Sequence, residues 1–295
     1  MTASESSPLH SLGIYSTALR RRNMQCLSTL VDLALALVTG SDPLGPVFTH
    51  CSQLRFLTLL VGEEYTGDVA ATLRAHSDAL PLLTAFRLSD PYMDKASAEG
   101  VASFLRKKAL LERLEMSHHW ESTCSSENIA PVLDILPDLP RLRILGWELS
   151  GHSRTDPNLT PDNLLNLSAR IPRQLTALSL WVTARSPTTV TEEDWIQFFR
   201  DLRACRFIHI LTHHGFLGTR TLQAALLDHP PPVSELVGFN EDIAWVERDR
   251  ETGGVGYSEP WSLSKVYNRT VEEFGCEEWE WLLRPIDMRL MDPHL

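Results

Sequence analysis

Apolar residues recur along this chain in one short pattern. Leu175-Thr-Ala-Leu178-Ser-Leu180 sets leucine at the first, fourth and sixth places, with small or polar residues between. In a strand, successive side chains point to opposite faces, so the fourth and sixth places share one face and their neighbours share the other. The spacing returns as Leu30-Val-Asp-Leu33-Ala-Leu35, Leu54-Arg-Phe-Leu57-Thr-Leu59, Leu83-Thr-Ala-Phe86-Arg-Leu88 and Leu111-Glu-Arg-Leu114-Glu-Met116. It continues as Leu142-Arg-Ile-Leu145-Gly-Trp147 and Cys205-Arg-Phe-Ile208-His-Ile210, with a weaker copy at Val233-Ser-Glu-Leu236-Val-Gly238. The central positions are 33, 57, 86, 114, 145, 178, 208 and 236, in steps of 24, 29, 28, 31, 33, 30 and 28.

Between these strands the apolar spacing changes to three and four, the period of a helix. It predicts helices over Gly67 to Ala79, Asp94 to Lys107, Glu127 to Leu136 (ended by Pro137) and Thr219 to Leu227. Thr160-Pro161-Asp162 opens another, with Thr as N-cap, Pro in the first turn and an acid near the positive end of the dipole. Thr191 and Asp194 have capping-box spacing, ahead of a buried face of Trp195, Phe198, Phe199 and Leu202. Upstream, Leu12, Tyr15 and Leu19 predict a short helix within Ser11 to Arg22, and Gly40, Pro43, Gly45 and Pro46 predict a break.

Strand and helix alternating around one motif is the signature of a leucine-rich repeat. The expected fold is therefore α/β: a solenoid with a curved parallel sheet on its concave side and helices on its convex side. Such repeats run at roughly 20–29 residues, so these long copies have room for a full helix each. The competing fold is an ordinary doubly wound α/β domain, whose buried strands would carry longer runs of Val and Ile. The repeats occupy residues 25–239. Residues 1–24 form a polar segment and the short helix. Residues 240–295 form a C-terminal cap, with a hairpin pairing Ile243–Arg248 with Val255–Ser258 and a helix over Thr270 to Leu283.

Composition narrows the function. Net charge is -11, against a general affinity for nucleic acid, which needs a basic surface. The one basic triple, Arg20-Arg21-Arg22, reads as a solvated helix end. The apolar run Val31 to Val38 is far too short to span a membrane. The N-terminus has no basic-then-apolar signal segment, so a cytoplasmic or nuclear location is expected, and the sequons at Asn158, Asn166 and Asn268 are read as chance. Cys26, Cys51, Cys124, Cys205 and Cys276 are odd in number and widely spaced, which argues against a disulfide framework or a zinc site.

No catalytic motif stands out. There is no glycine-rich phosphate loop and no G-x-S-x-G elbow. His118-His119 and His213-His214 follow their strands by two to four residues but lie three repeats apart. At about 5 Å per strand the pairs stand roughly 15 Å from each other, and a zinc ion needs ligands near ~2 Å. Glu192-Glu193, Glu272-Glu273 and Glu277-Glu278 are sequence neighbours on helices, about 100° apart, and do not converge. No catalytic residue, metal or cofactor is assigned. The alternative is a hydrolase or transferase on an α/β scaffold with an unrecognised active site, which predicts a cleft where titratable groups meet.

The informative surface is the concave face. Its residues alternate with the core leucines: Arg87, Arg113, Glu115 and Glu148 make a charged centre. Phe56 with Leu60 makes an apolar patch on one side, and Trp181, Phe207 and Leu211, with His209 between, make the other. Exposed aromatics beside arginine suit a protein-binding hot spot; the alternative is that the terminal segments or curvature cover these aromatics. The expected partner is a protein or peptide on this face, bound by a monomer.

The motifs at Leu54 to Leu59, Leu142 to Leu145 and Leu175 to Leu180, separated by acid-capped helices, resemble the leucine-rich region of fungal F-box proteins. Trp245-Val-Glu-Arg248, Gly256-Tyr257 and Glu277-Glu278-Trp279 are more loosely similar to the C-terminal ends of that family. The resemblance covers about residues 25–240. It implies a non-enzymatic interaction module that holds a substrate for a ubiquitin ligase. The family joins its ligase through an N-terminal helical module; residues 1–24 are too short for one and lack its Leu-Pro opening.

Overall fold

In the computed structural model, residues 10–19, 27–38, 44–62, 64–117, 126–149, 159–182, 188–212, 216–249, 251–262 and 277–283 are described. The histidine pairs, Cys26, Cys124, Cys276, the sequon residues Asn158 and Asn268, Arg20 to Arg22, residues 1–9 and the expected helix start at Thr270 lie outside them.

The strands are β1 (Ser11–Tyr15), β2 (Asp32–Leu37), β3 (Phe56–Val61), β4 (Ala85–Ser89), β5 (Arg113–Ser117) and β6 (Ile144–Leu149). They continue with β7 (Ala177–Val182), β8 (Phe207–Thr212), β9 (Leu236–Phe239), β10 (Asp242–Arg248) and β11 (Val255–Tyr257). All lie in one sheet, in sequence order. Neighbours from β1 to β9 run parallel, while β10 and β11 turn back antiparallel. The register aligns the first seven motif centres, Leu33, Leu57, Phe86, Leu114, Leu145, Leu178 and Ile208, in one continuous row. In the weak eighth copy the expected centre is corrected by one residue, since Val237 continues the row and Leu236 falls on the other face. A parallel connection needs a crossover, and the chain supplies a helix for most of them.

Those helices are α1 (Ser16–Leu19), α2 (Leu44–His50), α3 (Val69–Ala75), α4 (Lys95–Leu105), α5 (Ser126–Leu133), α6 (Pro161–Arg170), α7 (Glu192–Asp201), α8 (Thr219–Asp228) and, at the end, α9 (Glu277–Leu283). The helices α2 to α8 pack on the leucine side of the sheet. There Leu33, Leu57, Phe86, Leu114, Leu145, Leu178 and Ile208 join Val47, Leu73, Phe104, Val132, Leu167, Trp195 and Leu222 in one continuous core. This is a leucine-rich-repeat solenoid: successive strand–helix units, each in contact with the next.

Local chemistry fixes the helix starts. Asp68 and Asp94 accept from the backbone N–H of Ala71 and Ser97, both at 2.8 Å. Asp194 N–H donates to Thr191 Oγ1 at 3.3 Å, and Thr191 N–H donates to the Asp194 carboxylate at 2.8 Å, closing the expected box. Gly100 lets α4 approach α3: a Cβ there would lie 2.6 Å from the Ala70 carbonyl oxygen.

Three more expectations are corrected. Ser11–Tyr15 is a strand, not the start of a helix, and pairs parallel with β2. Its sequence, Leu9-His-Ser-Leu12-Gly-Ile14, is itself a copy of the motif, and pairing with β2 satisfies backbone groups that a short isolated helix leaves open. Leu44–His50 is a helix despite Gly45 and Pro46. Pro46 falls in its first turn, where no intrahelical N–H bond is lost. The helix after β5 ends at Leu133, and Pro137 belongs to a separate 3-10 turn over Leu136–Asp138.

Candidate protein-binding face

Strand alternation leaves a second face, on which no crossover helix lies among the described residues. Its residues form rows fixed by the register. One row runs Asp32, Phe56, Ala85, Arg113, Ile144, Ala177, Phe207 and Leu236. The next runs Ala34, Thr58, Arg87, Glu115, Gly146, Ser179, His209 and Gly238. A third includes Leu60 beside Ser89, and then Glu148, Trp181 and Leu211. All ten residues singled out from the sequence therefore lie on this face.

Much of the face is already covered by the chain itself. Helix α9 contacts β6 and β7. Its Trp279 ring stacks on Phe207, with centroids 5.6 Å apart and planes at 25°, and also meets Trp245. Ile144, Ala177, Phe207 and Leu236 are fully buried in a second apolar cluster with Ile243, Trp261, Trp279 and Leu282. Phe207 is thus a packing residue here, not an exposed one, because two tryptophan-bearing segments fold over it.

Arg87 is the other attachment point. Its Nε donates to Glu115 at 2.6 Å, and its Nη2 donates to the Trp281 carbonyl at 2.7 Å. The Trp281 ring lies 4.5 Å from its guanidinium carbon. Arg87 and Glu115 are both nearly closed off from water, and burial raises the Glu115 carboxyl above its ordinary value against the pull of Arg87. Gly146 makes room for that acid: a Cβ there would sit 2.6 Å from Glu115 Cγ. Gly238 does the same for His209, whose Nε2 pairs with the Asn240 carbonyl at 2.7 Å. Leu60, Glu148 and His209 are buried.

What stays accessible flanks the helix. Trp181 is 46% exposed, with Leu211 half-buried beside it on β8. On the other side Arg113 and Phe56 are half-buried, with the guanidinium carbon 5.8 Å from the ring centroid. Ala85 lies between them in the row, and its small side chain lets the arginine reach across. Strand position alone puts Ile144 on this face; the C-terminal tryptophans that cover it are hinted at only by the tryptophan density of residues 245–281.

Elsewhere, a cleft of about 630 Å³ opens where α6 and α7 end, lined by Pro137, Pro172, Arg173, Asp201 and Arg203 among others. Ser168 donates to Asp201 there at 2.9 Å. Among the described residues no group of three His, Cys, Asp or Glu is placed to hold a metal, and no helix is long and apolar enough to cross a membrane. Cys51 and Cys205 are buried, and burial pushes the Cys205 thiol up to about 12.

No family model and no curated protein matches the chain. Many solved chains resemble it, among them these two. One is a Bacteroides fragilis protein, 11% identical, with 81% of this chain aligned to 67% of that one at a TM-score of 0.49. The other is the leucine-rich repeat-containing protein LegL7 from Legionella pneumophila, 15% identical, with 80% aligned to 67% at a TM-score of 0.47.

Proposed function

We propose that the chain is a non-enzymatic interaction module that binds a protein or peptide on the concave side of its sheet, opposite the crossover helices. The observation that carries this reading is the exposed Trp181 on a rigid strand, beside Leu211. A large aromatic held out from a sheet offers contact area with little conformational entropy to lose. The Phe56–Arg113 pair supplies a second anchor of the kind found at interface hot spots. The finer reading, substrate receptor of a ubiquitin ligase, is supported only by the resemblance of the repeat motifs to the leucine-rich region of fungal F-box proteins.

The test is capture from extract of the source cell, read by quantitative mass spectrometry, with wild-type and Trp181→Ala/Arg113→Ala chains. Any true partner of this face is lost from the double variant while the thermal midpoint changes little. Undiminished capture overturns the reading. Co-purification of ligase subunits with the wild-type chain is expected if the finer reading holds.

A further inference from the structure

We infer that α9 is a built-in ligand of the face opposite the crossover helices, and that this face takes a short amphipathic, tryptophan-bearing helix of the same kind, which must displace it. This rests on the reading of that face as a protein-binding surface and names the chemistry of the partner.

The first support is the separation of the two apolar clusters. The solenoid core lies entirely on the leucine side of the sheet and contains no residue of α9. Trp279 and Leu282 belong only to the second cluster, across the sheet. The helix can leave without opening the repeats.

The second support is how the helix is held. Trp279 and Leu282 are three residues apart, so they fall on one face of α9, and Leu283 joins that cluster one residue on. The face meets them with an apolar stripe from Ile144 through Ala177 and Phe207 to Leu236. Arg87 grips the Trp281 backbone carbonyl and ring together, and the Arg206 guanidinium lies 5.7 Å from the Trp279 ring. An amphipathic helix laid in a groove, anchored at i and i+3, is a standard mode of peptide recognition. Arg87 and Arg206 meet the tryptophans of α9 while each is paired with an acid of its own, Glu115 and Glu235 respectively. A competing segment needs the same spacing of aromatic and aliphatic anchors.

The third support is that Arg87 and Glu115 are paired with each other before the helix is counted. Undocking α9 returns that pair to water, where it is well solvated, and leaves no lone buried charge. A tethered ligand acts at an effective concentration on the order of millimolar, so an external helix meets a face that is occupied most of the time. Affinity for that helix is lowered by the fraction of chains that are closed.

The experiment needs no cellular partner. A fluorescein-labelled synthetic peptide of residues 275–285 is titrated into the full chain and into full-length Trp279→Ala/Leu282→Ala, with polarisation as readout. Binding to the variant should be tighter by about tenfold or more. Adding Arg87→Ala to the variant should abolish it. A full chain with a protease site placed within residues 263–276 should gain peptide binding only after cleavage. Equal binding to wild type and variant overturns the inference, as does binding indifferent to Arg87. Collapse of the variant's thermal midpoint overturns it too, since α9 would then be part of the fold. Tight, Arg87-dependent peptide binding upholds the internal ligand even if extract capture ignores Trp181 and Arg113, an outcome that removes only the wider reading of the face.

Discussion

Gly146 stands beside Glu115 in neighbouring strands, and the space its missing side chain leaves is filled by the acid. A Cβ at 146 would lie 2.6 Å from Glu115 Cγ and 3.1 Å from its Cβ. The second of those atoms is fixed to the strand and cannot swing away. Gly146→Ala is therefore expected to destabilise the chain by about 1–3 kcal/mol, as overpacking does. Urea denaturation checks this. Combining it with Glu115→Ala should cost less than the sum of the two, because the clash disappears with the side chain.

The buried ion pair gives an asymmetric prediction. Glu115→Ala leaves Arg87 without its acid beneath α9, at an expected cost to the α9-docked state of up to about 3–5 kcal/mol, capped by the free energy of undocking the helix. Replacing both, as Arg87→Met with Glu115→Leu, should recover most of that loss, since well-packed apolar groups of similar volume do as well as a buried pair. Thermal unfolding of the single and double variants decides it. A double variant no better than Glu115→Ala alone contradicts the account.

Repeat leucines and exposed leucines should part sharply. Leu178 has no exposure and sits at the motif centre, so Leu178→Ala should cost about 2–5 kcal/mol. Leu165 on α6 is 66% exposed, and Leu165→Ala should fall within about 0.5 kcal/mol of wild type. Denaturant midpoints measured under one set of conditions compare them directly.

Tyr257 sets a limit on the alkaline side. Its hydroxyl donates to the Leu227 carbonyl at 2.7 Å, tying β11 to the end of α8, and burial pushes the phenol up to about 12. In the unfolded chain it ionises near its ordinary value of 10. The neutral form is thus favoured by folding. That contribution is complete below pH 10 and is lost as pH rises toward 12. Lys108 acts with the opposite sign: desolvation lowers its amine to about 8, so its contribution grows between pH 8 and 10.5. Comparing wild type with Tyr257→Phe cancels the lysine. The variant should lose less stability between pH 10 and 12, and parallel profiles would contradict the role given to the hydroxyl.

The repeats were legible because each copy repeats one local rule. Leu33, Leu57, Leu114, Leu145 and Leu178 announce their face by spacing alone, and the strands hold the register the spacing implies. The first copy escaped because Leu12, Tyr15 and Leu19 also fit a helical period. Spacing cannot tell whether a neighbouring strand is waiting to pair. The fate of the open face was not legible for a related reason. Phe207 and Arg87 read as exposed from their strands, yet what covers them arrives from about 70 and 190 residues further along the chain, at Trp279 and Trp281. No local pattern encodes a contact at that separation. The Thr191–Asp194 box, by contrast, is written within four residues and appears as expected.

Strand β10 runs backward against β9, and that reversal fixes where the array can change size. A further strand–helix unit continues the stack only beside a neighbour running the same way, through a crossover. Duplicating a unit of this gene is therefore tolerable upstream of Leu236 and not after Asp242. Variants of different length should share the same reversed ending while differing in the number of units before it.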